Sequence, residues 1–314
     1  MTVRDIWLDT DPGFDDWMAW ALLEGHPQMN LLGVSVVAGN APLSQTLANA
    51  LSIRAFHGWG TPVHAGADRP LAQQSVTAQD VLGSKALATV GRAVPNTTEQ
   101  ANSHQGVQAL IDVVLARPGA VTLVAIGPLT NIAQAFTLAP ELPGLMKELV
   151  IMGGSIDRGN TTAVAEFNIH ADPEAAQIVL GHPNRPPVQL FGLHLCRQVL
   201  VGPEHVQQLR ALGNERAEVF ADHLQAYVDI AARRNASHMA VYDPTPVAWM
   251  LAPHLFDMQD ARVDVELQGQ LTRGMTVCEF RVPARAQANA RVAMQADGPR
   301  VMELLMQELS RCLK

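Results

Sequence analysis

The segment Asp9-Thr10-Asp11-Pro12-Gly13-Phe14-Asp15-Asp16 sets four carboxylates within eight residues, directly after the apolar run 3–8. Like charges this close repel one another, and a fold tolerates them only with a counter-charge or solvent. Oxygen donors at this density suit a hard cation, calcium or magnesium. Capping alone explains less: Asp15 as a helix N-cap and Asp16 as a first-turn residue account for two of the four. A bond from Asp9 to a neighbouring strand accounts for a third, and Asp11 is left without a reason. An EF-hand loop fits poorly, since it needs an acidic or amide residue where Gly13 stands and follows a helix. An Asp-x-Asp phosphatase also begins after a strand, but has Thr or Val at the place of Gly13.

These carboxylates need elements to aim them. A strand delivers Asp9 and Asp11, Pro12-Gly13 turns the chain, and Asp15-Asp16 open a helix carrying Trp17, Met18, Trp20, Leu22 and Leu23. Further strand-like runs fall at 31–37, 62–65, 121–126, 148–152 and 188–191. Helical patterns lie between them near 15–25, 44–57, 103–116, 130–138 and 172–181. The alternation predicts parallel strands with crossover helices: an α/β fold, Rossmann-like, with an open, mainly parallel twisted sheet and helices on both faces. After residue 200 the pattern turns helical (203–212, 216–234, 243–251), then a hairpin is expected from 262–267 and 276–282, a strand near 291–296 and a helix over 298–312. The polar stretch 68–103 has no clear element, and loops that long are often functional. No linker or repeat divides the chain, so residues 1–314 read as one domain.

Composition excludes several classes. The 48% hydrophobic content supports a substantial core, and the net charge of −8 argues against a nucleic-acid surface. Three widely spaced cysteines indicate neither a disulfide framework nor a thiolate metal site. No apolar run is long enough for a membrane helix, and a strand begins too early to leave room for a signal peptide. A cytoplasmic protein without a membrane partner is expected.

Other strand ends carry polar groups. Asn40 follows Val36-Val37-Ala38-Gly39, and Gly127-Pro128 exposes the carbonyl of Ile126, a ready calcium ligand. Met152-Gly153-Gly154 ends a further strand, and Asn160, Glu166, Phe167 and Asn168 follow. These amides and the carboxylate suit several hydroxyls, with an apolar patch for a sugar face. Tyr242-Asp243-Pro244 adds a carboxylate before a helix. Each alone also reads as a turn, a polar loop or a cap. Ligands bind at the carboxyl ends of strands in open α/β sheets, and together these groups should meet at one such edge. Neither a Rossmann glycine motif nor a phosphate loop is present, so nucleotide phosphates are not expected as cargo.

In these residues the chain resembles the inosine–uridine-preferring nucleoside hydrolases. The resemblance rests on Asp9–Asp16, Val37-Ala-Gly-Asn40, Gly127-Pro-Leu-Thr-Asn131, Val150-Ile-Met-Gly-Gly154, Ala165-Glu-Phe-Asn168 with Asp172-Pro-Glu-Ala-Ala176, Asp243-Pro244, and Leu271–Val277 with Phe280. It implies calcium-dependent hydrolysis of the N-glycosidic bond of ribonucleosides in nucleoside salvage, by a homodimer or homotetramer. It further implies Ca²⁺ held by Asp11, Asp16, Asp243 and the Ile126 carbonyl, with Asp11 as general base toward water. Asp15, Asn40 and Asn168 would bind the 2′- and 3′-hydroxyls, Asn160 and Glu166 the 5′-hydroxyl, and Met152 and Phe167 would line the sugar pocket.

Two departures concern the leaving base. Many members have His where this chain has Tyr242, and another His where it has Leu82. Tyr242 is then the residue at the place of the proton donor. His104, His194 and His238 are nearby in sequence, with surface or supporting positions expected for each. Alternatives are a ribose- or nucleoside-binding homologue with weakened turnover, and a metal-dependent phosphatase, which would need a phosphate-gripping Lys or Arg beside the Asp cluster.

Overall fold

The computed structural model describes residues 3–314. β1 (Arg4–Thr10) lies deep in a sheet that has nine strands among the described residues. The others are β2 (Met29–Val36), β3 (Val63–Ala65), β4 (Val121–Ala125), β5 (Glu148–Met152) and β6 (Val188–Phe191), followed, after a separate short pair β7 (Leu200–Val201) and β8 (Met239–Ala240), by β9 (Phe256–Val265), β10 (Thr276–Glu279) and β11 (Ala290–Ala296). The order is β10-β9-β11-β6-β5-β4-β1-β2-β3. Strands β1 to β6 run parallel and β11 joins β6 in parallel, while β9 and β10 add an antiparallel edge. The expected open α/β fold is borne out.

Side-chain alternation along β1 divides the core, since successive residues of a strand face opposite ways. Ile6 and Leu8 join a cluster with Trp17, Trp20, Phe220 and the helix Gly298–Cys312. Trp7 joins the other, with Leu110, Ile132, Phe136 and Val179 from helices Gly106–Ala116, Thr130–Leu138 and Pro173–Gly181. Both faces of the sheet are thereby covered, which is why its parallel strands read as apolar runs.

The hairpin differs in extent from expectation. β9 starts at Phe256 rather than 262, because Phe256 to Ala261 pair with β11, and β10 stops at Glu279. Within 68–103 the structure forms one short helix, Gln79–Leu82. Among the described residues no helix is long and apolar enough to cross a membrane.

Candidate active site

Register brings the functional groups level. Asp9 pairs with Ala125 and Thr10 with Val36, while Ala125 pairs with Ile151. The residues at and after these strand ends, Asp11, Ile126 and the Met152–Gly154 turn, therefore share one edge. The Asn40 turn joins them: its backbone amide donates to Asp11 Oδ2 at 2.6 Å, and its side-chain Nδ2 donates to the Asp11 carbonyl and to Asp16 Oδ2, each at 3.1 Å.

Pro12-Gly13 then starts the helix Phe14–Gly25. Asp16 reaches back to the Gly13 amide at 2.9 Å and takes the Thr10 hydroxyl at 2.5 Å, so it caps the helix whose first turn favours negative charge. Carboxylate oxygens of Asp15, Asp16 and Asp243 lie within 4.8 Å of one another, all three residues buried. Asp11 is buried beside them, its carboxylate held against the Asn40 amide. Burial raises the carboxyl pKa of all four, and the neighbouring carboxylates raise those of Asp11, Asp15 and Asp243 further. A buried all-oxygen set under mutual repulsion fits a hard divalent cation, which offsets the charge that solvent cannot. Among carboxylates, the tight group differs by one member from the set the resemblance implies, with Asp15 in it and Asp11 alongside.

Asp9 is set apart. It lies on the Trp7 face of β1, where it accepts from the Ser35 hydroxyl and, at 2.8 Å, from Asn131 Nδ2. It fastens β2 and the helix Thr130–Leu138 to β1. Asp11 is clasped by glycines: a side chain at Gly39 would collide with Asp11 Oδ2, and a Cβ at Gly127 would stand 2.7 Å from Oδ1.

Above the carboxylates opens a cavity of about 390 Å³, lined by Asp15, Asn40, Ile126, Met152, Asn160, Glu166, Phe167, Asn168, Tyr242 and Asp243 among others. That volume suits a drug- or nucleoside-sized ligand. Every expected sugar-binding residue is thus in its wall. Glu166, 2% exposed, accepts from the amides of Asn168 (2.9 Å), Gly154 (3.0 Å) and Ile169 (3.1 Å). Asn168 Nδ2 donates to the Ile126 carbonyl at 2.9 Å and to that of Met152 at 3.3 Å. Asn160 stands exposed at the rim.

The far wall comes from the stretch that sequence patterns left unassigned and from around a predicted helix to which they gave no role in the site. Val76, Val81 and Leu82 come from the long polar stretch, and Tyr227, Arg234 and Met239 from the region after residue 200. Tyr227, from the helix Glu215–Ala232, donates to the Ala240 carbonyl at 2.9 Å and lies 3.3 Å from Asp15 Oδ2. It was not foreseen, although composition held a signal: the chain has two tyrosines, and both line this cavity. Burial pushes the Tyr242 phenol up to about 12.

None of the three histidines considered lines the cavity. His194 Nε2 bonds the Ala293 carbonyl at 2.9 Å, His238 pairs with Glu204, and His104 is exposed. Arg4 and Arg69, the cations a phosphatase would have needed, are likewise absent from the lining, where Arg234 is the cationic side chain.

Comparison with known proteins adds the following. The model of the family described as inosine-uridine preferring nucleoside hydrolase matches residues 6–303. The chain is 36% identical over 311 residues to the inosine-uridine preferring nucleoside hydrolase of Crithidia fasciculata, covering 98% of each. It is 34% identical over 298 residues to a pyrimidine-specific ribonucleoside hydrolase of Escherichia coli, covering 95% of this chain and 94% of the relative. The structure of a purine-preferring ribonucleoside hydrolase from Gardnerella vaginalis superposes with a TM-score of 0.91 at 28% identity, covering 99% of each chain.

Proposed function

The chain belongs to the inosine-uridine preferring nucleoside hydrolases and is an N-glycosidic hydrolase of ribonucleosides; from that premise we propose that it works with Ca²⁺, in nucleoside salvage, through the residues of the cavity just described. The observation that carries the reading is the buried Asp15–Asp16–Asp243 group at the floor of a cavity walled by Asn40, Asn168 and Glu166. Asp11, Asp16, Asp243 and the Ile126 carbonyl would hold the ion, which supplies positive charge to offset the carboxylates and to orient a ribose diol. Asp15 both belongs to the acidic group and lines the cavity, so it would stand between the ion and the 2′- and 3′-hydroxyls, with Asn40 and Asn168 beside it.

Asp11 takes the proton of the attacking water as the water oxygen bonds C1′. The C1′–N bond breaks and positive charge develops on the ribosyl ring; the electron pair leaves with the base, which takes up a proton from solvent. Buried carboxylates stabilise that oxocarbenium-like state more than they stabilise the neutral substrate. Glu166 and Asn160 hold the 5′-hydroxyl, while Met152 and Phe167 pack on the sugar.

One observation favours slow turnover of natural substrates: no histidine lines the cavity to protonate the departing base. Tyr242, neutral at physiological pH, donates a hydrogen bond rather than delivering a proton as an imidazolium does. A protein that binds ribonucleosides with little turnover is the limiting case.

The test is ribose release from a panel of purine and pyrimidine ribonucleosides with Ca²⁺, alongside 2′-deoxy analogues and Asp11→Asn. Ribose is expected from the ribonucleosides, with a loss of roughly 10²–10⁴-fold in Asp11→Asn. Binding without ribose release would establish the limiting case, and comparable turnover of deoxyuridine and uridine would refute the sugar grip.

A further inference from the structure

We infer that Thr276, at the start of β10, is a positioning residue for the end of the cavity that receives the sugar's 5′-hydroxymethyl group. Thr276 does not line the cavity. It is 2% exposed, and its hydroxyl meets a single residue twice: Oγ1 donates to the Ser155 carbonyl at 2.6 Å and accepts from the Ser155 amide at 2.9 Å. That two-point clamp fixes the turn leaving β5. The preceding residue, Gly154, turns its amide to Glu166 Oε2 at 3.0 Å, and its carbonyl accepts from the Leu193 amide at 2.9 Å.

The orientation of the Gly154 amide therefore depends on both neighbours, and Glu166 depends on that amide. Burial raises the Glu166 carboxyl pKa, and the backbone amides of Asn168, Gly154, Ile169 and Phe167 favour its charged form. Losing the Gly154 donor would leave the carboxylate free to tilt. Further along, Arg197 holds Asp157 at 3.1 Å and the Gly159 carbonyl at 3.0 Å, so the loop is tied down in its middle before it reaches Asn160. Thr276 is the tie at its root, supplied from a sheet edge 121 residues later. Thr276→Val keeps the shape and removes the hydroxyl, leaving a buried amide and carbonyl unpaired.

The inference rests on the reading of Glu166 as the 5′-hydroxyl ligand, and the experiment separates the two. Measure kcat/KM for uridine and for 5′-deoxyuridine in wild type, Glu166→Gln, Thr276→Val, Thr276→Ser and the Glu166→Gln/Thr276→Val double variant, each checked for a cooperative melt. Thr276→Val is expected to lose about 10- to 100-fold on uridine and much less on 5′-deoxyuridine. Thr276→Ser should stay near wild type, and the double variant should lose little beyond Glu166→Gln. Equal losses on both substrates, or additive losses in the double variant, would make Thr276 a structural residue only and overturn the inference. If Glu166→Gln keeps the wild-type preference for uridine, the sugar-grip reading itself fails and takes this inference with it. Should Thr276→Val fold poorly, Thr276→Cys, with a weak donor in place of the hydroxyl, takes its place in the comparison.

Discussion

The side-chain amide of Asn168 donates to the backbone carbonyl of Ile126 at 2.9 Å. A group proposed to grip the ribose is thus bonded to a group proposed to hold the ion. The two roles share one contact, so substitution at Asn168 should report on both. Asn168→Ala is expected to lose at least about 10²-fold in kcat/KM, since a buried polar contact to substrate disappears. It should also raise the Ca²⁺ concentration needed for half-maximal activity. A changed kcat/KM with an unchanged metal requirement would uncouple the two roles.

Metal removal should cost stability as well as activity. A cation that binds the folded chain among its buried, mutually repelling carboxylates stabilises it by mass action. Chelation is expected to abolish ribose release and lower Tm, with both restored by Ca²⁺ and less fully by Mg²⁺, which demands a tighter octahedral shell. Full activity in protein shown metal-free by elemental analysis would refute the requirement.

The leaving group gives a third expectation. Tyr242→Phe should slow inosine and uridine far more than p-nitrophenyl riboside, whose leaving group needs no proton. If natural and activated substrates react equally fast and neither responds to the substitution, another donor serves the base.

A fourth concerns stability and pH away from the cavity. His57 is buried, with Trp17 Nε1 donating to its Nε2 at 3.0 Å and Trp59 stacked on its ring at 4.2 Å. Burial, helped by Arg216, pushes its pKa from 6.5 to about 3. The unfolded chain takes up a proton below about 6.5 and the folded chain does not until about 3. Stability from this group is complete above that window and is lost as pH falls through it, by up to about 1.4 kcal/mol per pH unit. His57→Phe should flatten the dependence of Tm on pH between these limits. An unchanged slope would show that His57 takes a proton in the native state.

Much of the site's framework was legible because strand ends and turns are local signals. Apolar runs broken by Gly-Pro and Gly-Gly marked where carbonyls and amides emerge, and parallel alternation placed them on one edge. What sequence left open is equally physical. Asp9 and Asp11 are the same residue type two positions apart, yet Asp9 fastens Ser35 and Asn131 while Asp11 joins the acidic group. Tyr227 looked like one more core position of an amphipathic helix, since its contact with Asp15 spans 212 residues. Residues 76–82 carried no periodicity because they hold only one helical turn, Gln79–Leu82, and mostly line the cavity.

The glycines that clasp Asp11 have a consequence for judging relatives of this protein. Gly39 and Gly127 contribute no functional group, yet the space they leave is where the carboxylate of Asp11 sits. A methyl at either position would act on the chemistry as a change to the aspartate does, by pushing its oxygens out of line while leaving every acidic residue in the sequence. Homologues that keep all four aspartates but carry alanine or serine at either glycine should therefore be sorted with the inactive ones. In this site the space left by missing atoms shapes the chemistry as directly as the reactive groups do.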